Sequence, residues 1–194
     1  PHDFDNVDTT VLEVIKDNIV SVLKTVVHQK TLESIVRKDL FSGLYSEEYL
    51  YGEGKKIIDQ YTTSTICMFK ITNLEEINHA YCRELGNEVI IQISDYIKEN
   101  ISNQYVFVRY MGPKFVIAFS GVEISGVVEF VNDLKEKIEN TKIVLEEDEK
   151  MAAFPRMNFA ISTYYKGTGL EEVLKKQEEY LDNCSAEESD ITNI

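Results

Sequence analysis

The sequence predicts an α/β domain, a mixed central sheet covered by helices, carried on an N-terminal helical stalk. Three observations lead there. From about Asp39 onward, apolar runs of strand character alternate with amphipathic helical segments. Two of the strands flank Met111-Gly-Pro-Lys114, which reads as the turn of a central hairpin. Between Thr10 and Lys38 there is neither Gly nor Pro, so nothing interrupts a long helix.

The stalk is justified by its pattern. Thr10-Val-Leu-Glu13 reads as a capping box opening a helix that runs to about Lys38, a rod of about 40 Å. With Leu12 at heptad position a, the a sites are Leu12, Ile19, Val26 and Glu33, and the d sites are Ile15, Val22, Gln29 and Val36. An apolar a/d seam favours pairing with a partner helix; Val11, Leu23 and Val27 widen it, so packing on a neighbouring domain is the alternative. The domain elements follow in order. Thr65–Ile71 reads as a buried strand, and Leu74–Asn100 as one helix with Ile77, Tyr81, Leu85, Val89, Ile93 and Ile97 on its apolar face. Tyr105–Tyr110 and Phe115–Phe119 are the hairpin strands, and Val127–Asn140 is a second amphipathic helix. Ile143–Ala153 holds the acidic run Glu146–Glu149 and reads as a solvated loop. Arg156–Tyr164 is a strand, Leu170–Asn183 the last helix, and Ala186–Ile194 a polar tail. The divisions are therefore a stalk over 1–38, a domain over 39–185 and a tail over 186–194. The opening Pro-His, in place of Met, is what a fragment of a longer protein would show.

Charge narrows the partners. Against 34 acidic residues stand 20 basic ones, a net charge of −14 across 194 residues. Nucleic acid and anionic membrane surfaces are disfavoured, because both need clustered Lys and Arg. No apolar run nears the roughly 20 residues of a membrane span, and no signal-peptide pattern opens the chain. Cys67, Cys82 and Cys184, an odd number without a CxxC, fit a reducing cytoplasm. Residue chemistry yields no active site on its own. His2, His28 and His79 form no metal pair, no Cys has a basic setting, and Gly52-Glu-Gly54 is too short for a phosphate loop.

At Arg109-Tyr-Met-Gly-Pro-Lys-Phe-Val-Ile-Ala-Phe119 the sequence resembles the GGDEF domain of diguanylate cyclases, with Arg-Tyr, a signature hairpin and an apolar strand. Asp39-Leu-Phe-Ser-Gly-Leu44 resembles that family's D-x-L-T-G-L opening. Ile77-Asn78 with Gly86 resembles its I-N-D…G-H-x-x-G-D segment, and Asn158-Phe-Ala-Ile-Ser162 its last core strand. The resemblance spans Asp39 to Ser185 and implies a cyclase palm-like sheet; the stalk resembles the last helix of a GAF sensor. In the family, two carboxylate-held metal ions help join two GTP molecules into cyclic di-GMP at the interface of two domains.

This chain departs where that chemistry needs ligands. Met111, Gly112, Pro113, Lys114 and Phe115 stand in the signature, so its metal-binding Glu is Lys114. The D-x-D strand is Lys70-Ile-Thr72, His79 and Asn87 replace two Asp residues, and Ser185 replaces a phosphate-binding Lys. The inhibitory R-x-x-D is Ser102-Asn-Gln-Tyr105. An ammonium group repels a divalent cation and offers it no oxygen. The expectation is a catalytically inactive GGDEF-type signalling domain in the cytoplasm, with no metal and no cofactor. It would act by protein–protein contact, as a homodimer through the stalk and with other signalling proteins. The alternatives are a nucleotide site built on Asn78, Asn87, Lys70 and Lys114, in which lysines supply the metals' charge, or a residual cyclase.

Overall fold

The computed structural model describes residues 4–36, 38–145, 148–184 and 191–194. The chain divides into two compact units, residues 1–37 and residues 38–194. The first unit is the helix α1 (Phe4–Val36), about 50 Å long. It begins ahead of Thr10, so Thr10 and Glu13 lie inside it and do not cap it; Phe4–Thr9 contains no residue that would stop the helix. Leu12, Ile15, Ile19, Val22 and Val26 are all exposed within this unit.

The second unit is a three-layer sandwich. After β1 (Tyr45–Ser46), the short helices α2 (Glu47–Tyr49) and α3 (Lys55–Ile58) flank a wide π turn. Then come β2 (Thr63–Ile71), α4 (Leu74–Ala80), α5 (Arg83–Asn100), β3 (Val106–Met111) and β4 (Lys114–Ser120). They are followed by α6 (Ile124–Glu139), β5 (Ile143–Leu145), β6 (Asp148–Ala153), β7 (Met157–Tyr165), α7 (Leu170–Asn183) and β8 (Ile191–Asn193). The sheet order is β1-β3-β4-β2-β7-β8; its four central strands are antiparallel neighbours, and the edge strands β1 and β8 pair in parallel.

Period-two alternation sorts the strand residues between two cores. Cys67, Phe69, Phe115, Ile117, Phe159 and Ile161 face α4, α5 and α6. Ile66, Met68, Val116, Ala118 and Ala160 face α7 and the α2–α3 segment. Phe69 stacks on Phe115 at 5.0 Å between ring centroids, a fixed point of the first core. Both faces of the sheet are covered, so the central strands are buried end to end and read as nearly continuous apolar runs.

Three further sequence expectations change. The predicted helix over Leu74–Asn100 is two helices, because Tyr81 and Cys82 leave helical geometry and Cys82 is fully extended. The break turns Tyr81 outward, to 46% exposure, while Leu85, Val89, Ile93 and Ile97 stay in the core. The expected loop at Ile143–Ala153 contains a hairpin, β5 with β6, whose Ile143 and Ala153 are buried; residues 146 and 147 of the acidic run lie outside the described residues. The expected tail ends in a strand: Ile191 and Thr192 suit a sheet edge, and β8 runs beside Phe159–Ile161. Residues 185–190, Ser185 included, lie outside the described set, as does His2.

Candidate functional site

The hairpin turn is built for reversal. Gly112 has φ +57°, the left-handed region that a side chain disfavours, and Pro113 follows with its fixed φ. The turn is anchored to the centre of the sheet, because Ile71 N–H donates to the Pro113 carbonyl at 3.0 Å. On its β3 side, Arg109 Nη1 donates to both Asp39 carboxylate oxygens, at 2.8 and 2.9 Å. The same guanidinium donates from Nε and Nη2 to the Gly112 carbonyl, both at 3.2 Å. Asp39 also accepts from Ser42 N–H and Ser42 Oγ, each at 2.8 Å. Burial alone would raise the Asp39 carboxyl, but the Ser42 and Arg109 bonds outweigh it and hold the group below its ordinary value. Arg109 thus joins the Asp39–Leu44 turn, at the start of the domain, to the hairpin.

On the α7 side, the register sets Lys70 of β2 directly opposite Lys114 of β4. Their strand phase points both at α7. Asp182, in the last turn of that helix, bridges them: Lys70 Nζ lies 3.1 Å from Oδ1 and Lys114 Nζ 2.7 Å from Oδ2. Glu178, one helical turn earlier, accepts a second bond from Lys114 at 2.7 Å. The Lys114 side chain is 10% exposed and that of Lys70 23%. Desolvation pulls the Lys114 ammonium down, yet its bonds to Asp182 and Glu178 prevail and raise it. Asp182 shows the complement: burial would raise it, and the lysine bonds lower it. Two ammonium and two carboxylate groups leave this cluster neutral.

Asn78 lies on α4 and Asn87 on α5, the helices on the sheet face opposite α7. A Cβ built on Gly86 would lie 2.0 Å from Asn78 Oδ1, so the asparagine folds down onto a buried glycine. The α4–α5 break makes that approach possible. Among the described residues, the side-chain hydrogen bonds of Lys70 and Lys114 run to α7 and not to these asparagines. Of the sequence-predicted residues, the structure brings together Lys70 and Lys114, and it brings Asn78 against Gly86 beside Asn87. Met111 is exposed at the hairpin. Thr72 Oγ1 donates to the Arg156 carbonyl at 3.4 Å, and His79 is exposed on α4. Ser102, Asn103, Gln104 and Tyr105 line a cleft of about 330 Å³ with Tyr45 and Lys98.

Sequence reasoning missed Glu178 and Asp182. Their signal was the i, i+4 spacing beside Leu174 and Leu181, which puts both carboxylates on the sheet side of α7. The residues present do not fit the divalent cations of the resembled family. At the two registers that would supply carboxylates stand ammonium groups already bonded to α7. Among the described residues no cluster of three His, Cys, Asp or Glu could hold a metal ion. The cysteines are free thiols; burial pushes that of Cys67 well above its ordinary range.

A sandwich on a six-stranded sheet, with a signature-like hairpin at its centre, defines a nucleotide-cyclase type of domain. The family model for the diguanylate cyclase GGDEF domain matches residues 36–190, and the chain belongs to that family. It is similar over 95% of its length to the coiled coil and GGDEF domain of DgcB from Caulobacter crescentus in complex with c-di-GMP, covering all of that chain, with a TM-score of 0.80 and 13% identity. The diguanylate cyclase SiaD of Pseudomonas aeruginosa, solved with its activator SiaC, matches 98% of this chain and 75% of its own, with a TM-score of 0.72 and 10% identity. The uncharacterized protein YtrP of Bacillus subtilis is 28% identical over 94 residues, 48% of this chain and 16% of that protein. No described helix is long and apolar enough to cross a membrane.

Proposed function

We propose that this is a GGDEF-family signalling domain without diguanylate cyclase chemistry, acting through protein contacts. The observation that carries the reading is the facing pair Lys70 and Lys114, tied to Asp182 where the family places metal-binding carboxylates. Cyclase chemistry needs a cation to acidify the attacking 3′-hydroxyl and to balance triphosphate charge. Here the positive charge belongs to side chains that cannot ligate a hydroxyl, and it is already neutralised by α7. The misfit of Lys70 and Lys114 to a divalent cation is compounded at the turn, where Pro113 lacks an N–H and Met111 adds a side chain.

The stalk would supply the input. Its exposed a and d residues, Leu12, Ile15, Ile19, Val22 and Val26, form a seam that a second copy's α1 can cover, and DgcB was solved with a coiled coil ahead of its domain. A sensor upstream, in a cytoplasmic protein, would change the packing or register of that pair. SiaD with its activator illustrates a GGDEF protein held by a separate partner. Incubation with GTP and either Mg²⁺ or Mn²⁺, read by chromatography, is expected to yield no cyclic di-GMP. Product at a rate that scales with protein would overturn the reading.

A further inference from the structure

Helices α5 and α6 lie on the same face of the sheet, each turning its apolar stripe down onto the first core. Between them runs an open trough. Tyr96, Asp133, Lys137 and Thr141 line its middle, a space of about 570 Å³. Tyr96 and Thr141 also line a smaller cavity of about 120 Å³ over Ile93, Ile138 and Ile143. At the other end Asn100, Gly126 and Phe130 border a third space of about 290 Å³, floored by Tyr105 and Phe119. Along α6 the lining runs from Gly126 to Asn140, about 20 Å at the helical rise. The floor is apolar and fixed. Tyr96 and Phe130 are half-buried against the core, and Phe119 meets Phe130 edge-on at 5.8 Å and Tyr105 at 5.2 Å.

The rim is acidic. Asp133 and Glu136 are exposed on α6. On α5, Glu88, Gln92, Tyr96 and Glu99 recur at helical spacing, so the two glutamates share the wall that Gln92 and Tyr96 give to the trough. Gln92 Nε2 donates to Glu88 Oε1 at 2.7 Å, a neutral partner that leaves the charge in place. Among the described residues, none of these four carboxylates pairs with a lysine or arginine, and Lys137 is the only basic side chain in the lining.

We propose that the trough between α5 and α6 is a docking site for a basic amphipathic helix of a partner protein. A groove between two helices takes the ridge of a third. An apolar ridge at i, i+3, i+4 and i+7 would rest on Tyr96, Phe130 and the isoleucines beneath, and flanking Lys or Arg would meet Glu88, Glu99, Asp133 and Glu136. Four carboxylates against one ammonium disfavour an acidic partner, a second copy of this chain with its net charge of −14 included.

The docking site rests on the reading that this domain acts through protein contacts, and the two fail separately. A fluorescein-labelled helical peptide of about 15 residues, with Leu along one face and Lys on its flanks, is titrated into the full chain by anisotropy. A twin with Glu in place of Lys and a peptide of residues 4–36 of this chain are the comparisons. The Lys peptide is expected to bind at least tenfold more tightly than either, with affinity falling as salt rises. Asp133→Lys/Glu136→Lys, both at exposed positions, should weaken it at least tenfold, and Phe130→Ala at least threefold. Glu171→Lys/Glu172→Lys makes the same change of charge at the start of α7 and should leave affinity within twofold. If Phe130→Ala does not fold, the two lysine pairs decide alone. Equal losses from both pairs would mean attraction to net charge only and overturn the docking site, as would no binding by the Lys peptide. Tighter binding of the 4–36 peptide would make a second copy the occupant and overturn the basic partner. Cyclic di-GMP made from GTP and Mn²⁺ would instead overturn the reading beneath, whatever the peptides do.

Discussion

The two flanks of the β3–β4 hairpin carry ion pairs of similar geometry and opposite meaning. On one flank, Arg109 grips Asp39 through both carboxylate oxygens, with the residue types the family resemblance leads one to expect. On the other, Lys114 and Lys70 grip Asp182, with basic side chains on the strands and acids on the helix. The first flank positions the hairpin against the start of the domain. The second fills the place where metal chemistry would occur. The contrast between these two flanks is what the proposal of a domain without cyclase chemistry rests on.

The largest expected effect comes from forcing the second flank back to the family's charge. Lys114→Glu would set three carboxylates around one buried position and leave Lys70 alone to offset them. Because Asp182 is half exposed, the expected loss is about 3 kcal/mol, measurable by urea unfolding, and no cyclic di-GMP is expected from the variant. Breaking the first flank should cost less. Arg109→Ala removes a bidentate partner but leaves Asp39 its Ser42 bonds, so about 2 kcal/mol is expected. If Arg109→Ala proves the costlier of the two, the contrast between positioning and inverted flanks is misdrawn.

The first core offers a sharper steric test. Gly86→Ala drives a Cβ into Asn78 and should cost about 1–2 kcal/mol; Asn78→Ala in the same chain should recover most of it. Titration reads the carboxylates of both flanks in acid and the lysine of the second flank in alkali. Asp39 and Asp182 are both lowered when folded, so each contributes stability that is complete above the ordinary carboxylate value of about 3.9 and is lost as pH falls through its lower folded value. Lys114 is raised, so its contribution is complete below the ordinary lysine value and is lost as pH rises through the higher folded one. Asp182→Asn should flatten the acid limb of the melting-temperature profile only in part, because Asp39 remains. A limb unchanged in Asp182→Asn would mean that the second flank contributes nothing in acid. The smallest effect belongs to the stalk: Ile19→Asp should leave the domain's melting unchanged and shift sedimentation toward monomer.

Most of the fold was legible because buried strands and helices leave strong periodic marks. Phe115–Phe119 and Leu85–Ile97 read correctly from their apolar spacing alone. What escaped was set by tertiary contacts that the local pattern does not show. Tyr81 fits an unbroken helical period, so the period alone hides the break at Tyr81 and Cys82 that lets Asn78 lie against Gly86. Ile191 looks like tail until β7 supplies its partner. At the site, the reversal at Lys70 and Lys114 was visible as a departure from a motif. Its neutralisation was not, because Asp182 lies 112 positions from Lys70 and 68 from Lys114. The apolar stripes of α1 and α5 teach the same limit: one is exposed in its own unit and the other buried, although both are periodic.

The central claim is that a divalent cation has no seat between β2 and β4. Mn²⁺ titrated into isotope-labelled protein broadens the amide signals of residues near any bound ion. The account predicts no selective broadening at Lys70, Ile71 or Lys114 at Mn²⁺ concentrations that leave the rest of the spectrum intact. Selective loss of those three signals, reversed by EDTA, would contradict it.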